Sequence, residues 1–214
     1  MKKFLFTAIV ICLCAVFLGG CKKEVDYFNY VSEKRDNIYL YSDDNIEIKV
    51  YSLERENPYS ADGIKGDITS LCEVYVRLPK NYDEVEIKVG GVEGEMNYKA
   101  VENCYFLSFS DEKFESESVP VTLTYDNKST DYTAASVLYD GVISCRDAVK
   151  CVIEHANDLF KSLTDGKIFT GEIYVRLLFD DGCYYYVGVC DRNKKITAFL
   201  VDGERGKVIA SHEN

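Results

Sequence analysis

ISCRDAVKCVIEHANDLFKSL, residues 143–163, separates two halves of this chain that have different patterns. Ser144 and Asp147 are spaced like a capping box, and an acid in the first turn favours a helix start. Apolar residues then recur at helical spacing, namely Ala148, Val149, Val152, Ile153, Ala156, Leu159, Phe160 and Leu163. The stretch therefore predicts an amphipathic helix that ends before Asp165-Gly166.

Strands with polar turns follow this helix. Residues 172–179, 183–190 and 195–201 are predicted strands, and the turn sequences DDG and DRNK separate them. A last turn and strand follow within DGERGKVIA, residues 202–210. One helix followed by an antiparallel meander predicts a small α+β domain over residues 141–214.

The half of the chain before the helix alternates between short strands and turns. In CEVYVRL, residues 72–78, Cys72, Val74 and Val76 fall on one face, and Pro79 ends the strand. The other predicted strands span residues 37–42, 46–53, 85–89, 98–101, 104–109, 119–125 and 132–138. Frequent turn signals between short strands predict an immunoglobulin-like β-sandwich over residues 37–140. The predicted fold class is mainly β, and α+β overall.

One long connection in this half has little pattern. ERENPYSADGIKGDITS, residues 54–70, shows neither helical nor strand periodicity. A connection of this length inside a compact domain is often a functional loop. The sequence also allows an ordinary insertion, which is the interpretation we favour.

The N-terminal residues match an export signal. Lys2 and Lys3 precede an apolar run over residues 4–18, which is shorter than the roughly 20 residues that span a bilayer. The run ends in Leu18-Gly19-Gly20-Cys21, which resembles the lipobox of bacterial lipoproteins. The resemblance implies that residues 1–20 are a signal peptide and that Cys21 carries a lipid anchor with acyl chains such as palmitate. The alternative is an uncleaved N-terminal anchor in which Cys21 has no role.

The acidic balance of the chain limits its partners. The formal net charge is −11, and loss of Lys2 and Lys3 with the signal peptide takes it to −13. Nucleic-acid binding requires a basic face, so we expect no nucleic-acid partner. We attribute the acidity to solubility and expect membrane attachment through the lipid at the N-terminus. Residues 21–36 are then a linker between the lipid and the first domain.

Six cysteines follow the predicted signal peptide and its Cys21, and an even number in an exported protein permits disulfides. Cys145 and Cys151 on one helix would be roughly 9 Å apart, and the two cysteines at the ends of strand 183–190 roughly 23 Å apart. Both separations exceed the reach of a disulfide, so a bridge in this half would join helix to strand. Cys72 and Cys104 then remain as a candidate disulfide. The alternative is six free and mostly buried thiols.

The C-terminal part of the chain resembles the PepSY domain family. The similarity lies in a helix that begins IS-x-x-DA and in YYVGVCDRNKKITAFLVDGERGKVIA, with the clearest match at Val201-Asp202 and Gly206-Lys207-Val208. It covers roughly residues 141–212 and departs from the family at Gly203, where alanine is frequent, in the cysteines and in the tyrosine run. The resemblance implies a module without catalytic residues that binds or restrains a peptidase.

Tyrosines in this half form a candidate interaction surface. The strand 172–179 carries apolar residues on one face and Tyr174 on the other, and a single helix can cover one face only. The next strand carries Tyr184, Tyr185 and Tyr186, whose faces depend on the register. The second face of these strands must pack against the first half of the chain or bind a partner. Tyrosine is a common anchor at interfaces, so these four residues are the candidates.

No group of residues in the sequence identifies a reaction. His155 and His212 lack metal-ligand spacing, and the Asp pairs at 43–44 and 180–181 are turn residues. Cys145 stands at a helix start, which can activate a thiol, yet it falls on the apolar stripe. We therefore expect no metal, no cofactor and no enzyme activity.

The function that these observations favour is that of an extracytoplasmic, lipid-anchored protein-interaction module of the bacterial cell envelope. Its expected partner is an envelope protein, and the PepSY resemblance suggests a peptidase that it regulates or inhibits. The alternatives are a lipoprotein that binds a small ligand or a cell-wall fragment, and an enzyme that depends on a thiol.

Overall fold

The computed structural model describes residues 25–213. The predicted signal peptide and the lipidation site at Cys21 lie outside the described residues. Within residues 25–213 the protein is mainly β, with short helices packed against an extended sheet.

Nine strands of the described chain precede the α-helices. Their bounds are β1 (Val31–Ser42), β2 (Glu47–Glu56), β3 (Ile68–Arg77), β4 (Val85–Val89), β5 (Val92–Glu95), β6 (Asn97–Lys99), β7 (Cys104–Ser110), β8 (Ser118–Tyr125) and β9 (Lys128–Ser136). A 3₁₀ helix at Tyr27–Tyr30 precedes β1, and the Asp26 side chain caps it by accepting from the Phe28 amide at 3.2 Å. Each strand predicted for this half has a counterpart, whereas β5 and residues 31–36 of β1 were not predicted.

The second half, as far as residue 213, contains two helices and six strands. They are α1 (Cys145–His155), α2 (Asn157–Ser162), β10 (Thr164–Asp165), β11 (Ile168–Phe169), β12 (Glu172–Phe179), β13 (Cys183–Cys190), β14 (Ile196–Asp202) and β15 (Lys207–Glu213). The Ser144 hydroxyl accepts from the Asp147 amide at 3.1 Å, which confirms the predicted cap. The predicted helix is nevertheless two helices, because Ala156 leaves helical geometry at φ −118° and ψ 39°. The short hairpin β10–β11 was not predicted.

The central strand of the sheet is β1. Hydrogen bonds join nine strands in the order β15-β14-β13-β12-β1-β2-β3-β7-β6, and β1 is parallel to β12 but antiparallel to β2. Residues 31–36 therefore do not form the linker that the sequence suggested, since Val31 and Ser32 are buried in the middle of this sheet. The two predicted domains share one continuous sheet through β1.

A second layer of strands packs on part of this sheet. Strands β9, β8, β4 and β5 pair in that order, and β9 also pairs with β1 at Tyr39 and Leu40. The core between the layers contains Tyr39, Ile48, Val50, Cys72, Val74, Val76, Val85, Ile87, Val121 and Leu123. This half is a sandwich-like arrangement of antiparallel strands, with alternate residues of each strand facing inward.

The helices cover the other end of the same sheet. Ala148, Val149 and Val152 of α1 are buried, as the apolar stripe predicts. They pack in one core with residues of β12 and β13, among them Ile173, Val175, Leu177, Tyr185, Val187 and Val189. Burial of each such side chain contributes about 1.5–3 kcal/mol of hydrophobic stabilisation, so this core holds the helices on the sheet.

Both covering layers lie on one face of the nine-stranded sheet. Lys34 is in register with Glu54 of β2 and with Val175 of β12, so these three residues share a face. Val175 packs in the helix core, while Glu54 lies on the same face as Val50 in the sandwich core. We call the opposite face, which carries Arg35, Tyr51, Tyr75, Arg176, Tyr186 and Leu200, the open face.

The six cysteines of the described chain are all free. Cys72 is in register with Phe109 of β7, five residues along that strand from Cys104. At about 3.3 Å per residue the two cysteines are roughly 17 Å apart along the strand, whereas a disulfide needs Cα atoms within about 7 Å. The candidate disulfide between Cys72 and Cys104 is therefore wrong, because the register of β3 and β7 separates the two side chains.

Candidate interaction face

The four candidate tyrosines do not form one surface. Tyr185 points into the helix core at 2 % exposure, and its hydroxyl donates to the Ile143 carbonyl at 2.6 Å. Tyr174 is also only 2 % exposed, although it lies on the open face. Tyr184 and Tyr186 are half-buried on the open face. The alternation of β13 thus corrects the predicted set, since only Tyr184 and Tyr186 are partly accessible to a partner.

A row of residues in register crosses the open face. Arg35 of β1 is paired with Arg176 of β12, which is paired with Tyr186 of β13. Tyr186 is paired with Leu200 of β14, and Leu200 with Ala210 of β15. We call this row the Tyr186 row. The row runs across the open face from β15, at the end of the sheet whose other face the helices cover, to β1 at the centre of the sheet.

A second group of aromatic side chains continues the open face over β2, β3 and β7. The ring centroids of Tyr51 and Tyr75 are 5.2 Å apart, and those of Tyr75 and Phe106 are 4.9 Å apart. The Lys99 ammonium lies 3.8 Å from the Phe106 centroid, and the Arg35 guanidinium carbon 4.4 Å from that of Tyr51. Aromatic and cation–π contacts of this kind add to the burial of the rings. The aromatic rings and the cationic side chains of this face therefore contact one another and form a continuous surface.

Sequence reasoning missed Tyr51, Tyr75 and Arg35 as members of this face. The alternation of β2 and β3 could have placed the two tyrosines on the face opposite the sandwich core. It could not have joined them to Tyr186, because that needs the parallel pairing of β1 with β12.

Arg176, the second residue of the Tyr186 row, is held by the carboxylate of Glu33. Its Nε and one terminal nitrogen donate to the two Glu33 carboxylate oxygens at 2.8 and 2.6 Å. The same terminal nitrogen lies 3.0 Å from the Tyr59 hydroxyl. Burial alone would lower the pKa of Arg176, but the Glu33 hydrogen bonds and charge raise it overall. This bidentate pair fixes the plane of the guanidinium below Tyr186.

The long connection, predicted over residues 54–70, is a shorter loop over 57–67 between β2 and β3. Glu56 organises it, because its carboxylate accepts from the Ser60 amide at 3.1 Å and the Gly66 amide at 2.7 Å. The loop then packs on the turn after β13. A Cβ at Gly63 would lie 2.5 Å from the Asp191 carbonyl carbon, and the Gly63 φ of +80° also favours glycine.

A buried acid lies beneath this loop. Glu172 is fully buried, and Tyr174 donates its hydroxyl hydrogen to one of its carboxylate oxygens. No group among residues 25–213 makes a hydrogen bond to the other oxygen. The pKa of Glu172 is raised to about 7, chiefly by burial and also by the charges of Glu56 and Asp62, and a hydrogen bond from the Gly63 amide opposes the shift only in part. The carboxyl group therefore binds its proton more tightly in the folded protein than in the unfolded chain.

Two adjacent depressions indent the open face around Lys49 and Tyr51. The smaller has a volume of about 120 Å³ and lies between β1, β2 and the end of β12, lined by Arg35, Ile38, Leu40, Lys49, Tyr51, Leu178 and Phe179. The larger, of about 310 Å³, extends towards Tyr75 and Arg77. Both are open depressions in a sheet surface.

The thiols show no activation. Burial raises the pKa of Cys145 to about 12, although the residue stands at a helix start. Burial likewise raises the pKa of Cys72 to about 12 and that of Cys190 to about 11. A reactive thiol needs a lowered pKa and access to solvent, so these three positions favour packing over catalysis.

Two further properties concern the described part of the chain. No three or more His, Cys, Asp or Glu side chains within residues 25–213 are arranged to hold a metal ion. Over the same residues, every helix is too short or too polar to cross a bilayer.

No protein-family model, curated protein or solved structure matches this chain. The residues of the open face are therefore the basis on which its function is argued.

Proposed function

We propose that this protein is a non-catalytic binding protein of the bacterial cell envelope. A lipid on Cys21 attaches it to the membrane, and its open face binds another extracytoplasmic protein. The observation that carries the proposal is the Tyr186 row, where half-buried Tyr186 and Leu200 lie on a sheet face that the helices and the second layer of strands leave open. Tyrosine and arginine are both enriched among the residues that anchor protein interfaces.

The shape of the face supports a protein partner over a small molecule. Small-molecule sites are usually concave and enclose about 300–1,000 Å³. Of the two depressions on the open face, the smaller, of about 120 Å³, lies below this range, and the larger, of about 310 Å³, lies at its lower limit. A broad surface of aromatic side chains with ion pairs between them is typical of a protein interface.

The resemblance of residues 141–212 to the PepSY family makes a peptidase the first candidate partner. The succession of α1, α2 and the meander β12–β15 supports this resemblance. In the same proposal, residues 37–140 form an immunoglobulin-like sandwich that is joined to the PepSY-like part through β1. The raised pKa values of Cys72 and Cys145 argue against the alternative of thiol catalysis at these positions.

The test compares capture of a partner by the unsubstituted chain with capture by a variant that lacks the exposed tyrosines. The mature chain is immobilised, and proteins captured from an envelope extract of the same cells are identified and then rebound in purified form. A double variant, Tyr184→Ser with Tyr186→Ser, removes the two accessible rings of β13. The matched control is Tyr139→Ser, because Tyr139 is 46 % exposed but lies in the segment before α1.

We expect the double variant to lose the purified partner and the control to retain it. Circular dichroism and urea unfolding of both variants establish that they are folded. Retention of the partner by a folded double variant would refute the assignment of the open face.

A further inference from the structure

We propose that the smaller depression on the open face is a binding site for a carboxylate group, which a polypeptide presents next to an apolar side chain. We call the site, formed by Arg35, Ile38, Leu40, Lys49, Tyr51, Leu178 and Phe179, the Arg35 notch. This inference rests on the proposed function in one respect, namely that a protein partner supplies the carboxylate. The binding chemistry of the notch is argued from its own residues.

Arg35 is positioned to bind an anion. Its Nε donates to the Leu177 carbonyl at 2.9 Å, and its guanidinium carbon lies 4.4 Å from the Tyr51 centroid. The hydrogen bond and the ring contact fix the plane of the guanidinium. Across residues 25–213, no carboxylate lies within 4.0 Å of its nitrogen atoms to form an ion pair. The N–H groups at its terminal nitrogens are therefore available to an external acceptor.

Arg35 differs in this respect from its neighbours on the face. Arg55 contacts Glu73 at 3.0 Å, Arg77 contacts Glu47 at 2.6 Å, and Arg176 is paired with its own acid. Acidic residues outnumber Lys and Arg by 36 to 25 in this chain. A half-buried arginine without a carboxylate is costly unless something else supplies the negative charge. Burial lowers the pKa of Arg35, which is consistent with an unpaired cation.

The walls of the notch select the kind of anion. Leu178 and Phe179 supply apolar surface, and Phe179 is 37 % exposed. Lys49 is the second cation, but it already contacts Glu47 at 3.2 Å. One unpaired guanidinium in an apolar wall suits a single negative charge, and its planar N–H groups match a planar carboxylate. The volume of about 120 Å³ admits one side chain or one chain end.

The position of the notch agrees with the proposed interface. Arg35 ends the Tyr186 row, because it is paired with Arg176, which is paired with Tyr186. A segment that lies along this row would place an aromatic contact at Tyr186 and a carboxylate at Arg35. The notch would then give the partner a fixed orientation, since charge pairs set register more than affinity.

The test uses small probes, so that it does not depend on any partner protein. The strands and both cores described above lie within residues 25–213, which the unlipidated mature chain with Cys21→Ser contains in full, so this chain is used for nuclear magnetic resonance. N-acetyl-leucine presents a terminal carboxylate, and N-acetyl-glutamate α-amide presents a side-chain carboxylate. N-acetyl-leucinamide is the neutral control, and inorganic phosphate is the competing anion.

We expect a saturable shift of the Arg35 Nε–H signal with at least one carboxylate probe, with a Kd on the order of 1–10 mM. The leucinamide should cause no such shift. Arg35→Gln should weaken binding at least tenfold, followed through the backbone amides of residues 36–40 and 49–51. Arg192→Gln, at an exposed arginine, should bind as the unsubstituted chain does.

Three results would each overturn the proposal. They are no saturable shift with either carboxylate, an equal shift with the leucinamide, and tighter binding of phosphate than of both carboxylates. Arg35→Lys keeps the charge but not the planar donors, so a folded Lys variant that binds unchanged would also overturn it. The probe experiment uses no partner protein, so its result does not depend on whether a partner is captured. Either proposal can therefore be refuted without the other.

Discussion

Replacing Glu172 by Gln should remove much of the pH dependence of folding stability between about pH 4.5 and pH 7. Glu172 is fully buried at the start of β12, and its pKa is about 7 in the folded protein against an ordinary value of 4.5. Glutamine has nearly the same shape as the protonated acid and can still accept the hydrogen bond from Tyr174. It has no proton to lose, so the variant separates this titration from all others.

The sign of the effect follows from proton binding in the two states. Below about pH 4.5 the carboxyl group is protonated in both the folded and the unfolded chain, and its stabilising contribution is fully present. As the pH rises towards 7, the folded protein keeps the proton that the unfolded chain has released. Stability is therefore lost as the pH rises through this window, and the loss is complete above the folded pKa of about 7.

The magnitude follows from the two pKa values of this group. The difference between 4.5 and about 7 corresponds to a total change of about 3 kcal/mol in the free energy of unfolding. About 2 kcal/mol of this change falls between roughly pH 5 and pH 7.5.

Urea unfolding of the unlipidated mature chain at these two pH values measures the effect. The stability of Glu172→Gln relative to the unsubstituted chain should rise by about 2 kcal/mol from pH 5 to pH 7.5. The matched control, Glu93→Gln, replaces an acid whose side chain is 74 % exposed and should leave the pH dependence in place. A relative stability of Glu172→Gln that is the same at both pH values would refute the reasoning.

Three further predictions concern single positions. Tyr185→Phe leaves the Ile143 carbonyl without its buried donor, and should lower the free energy of unfolding by about 1–3 kcal/mol in urea titrations; an unchanged midpoint would contradict the hydrogen bond. Alkylation of the native, unlipidated mature chain near pH 8 should modify Cys151 before the five buried thiols, as peptide mass spectrometry can show, and early labelling of Cys145 would contradict its burial. Cys21→Ser in the full chain should abolish incorporation of a labelled fatty acid; incorporation that persists in the variant would contradict lipidation at Cys21.

Local patterns predicted the secondary structure of the second half closely. The strand predicted at 172–179 and that predicted at 183–190 have the bounds of β12 and β13. The cap at Ser144 and the buried stripe of α1 also agree with the sequence. These features depend on residues within a few positions of each other, so the sequence shows them directly. The break at Ala156 does not follow from periodicity, since the apolar stripe continues across it.

The candidate site was predicted in part, and the errors have a physical cause. A run of three tyrosines must place Tyr185 opposite Tyr184 and Tyr186, but the alternation does not reveal which face the helices cover. Tyr174 lies on the correct face, yet the ring of Tyr59, 6.3 Å away in a loop more than 100 residues earlier, packs against it. Within residues 25–213, Arg35 has no carboxylate partner because the acids on this face pair with other arginines, which are brought there from other strands of the sheet.

The sequence by itself determined where most strands and turns of this protein and its first helix form, and which residues of each strand alternate inward. Each of these properties follows from the spacing of apolar and polar residues along a short segment. Only the tertiary structure decided that β1 lies parallel to β12 and joins the two halves into one sheet. It also decided that both covering layers lie on the same face, which leaves the other face open. Those outcomes depend on pairing between residues as far apart as Val31 and Ile173, and no local pattern encodes such a register.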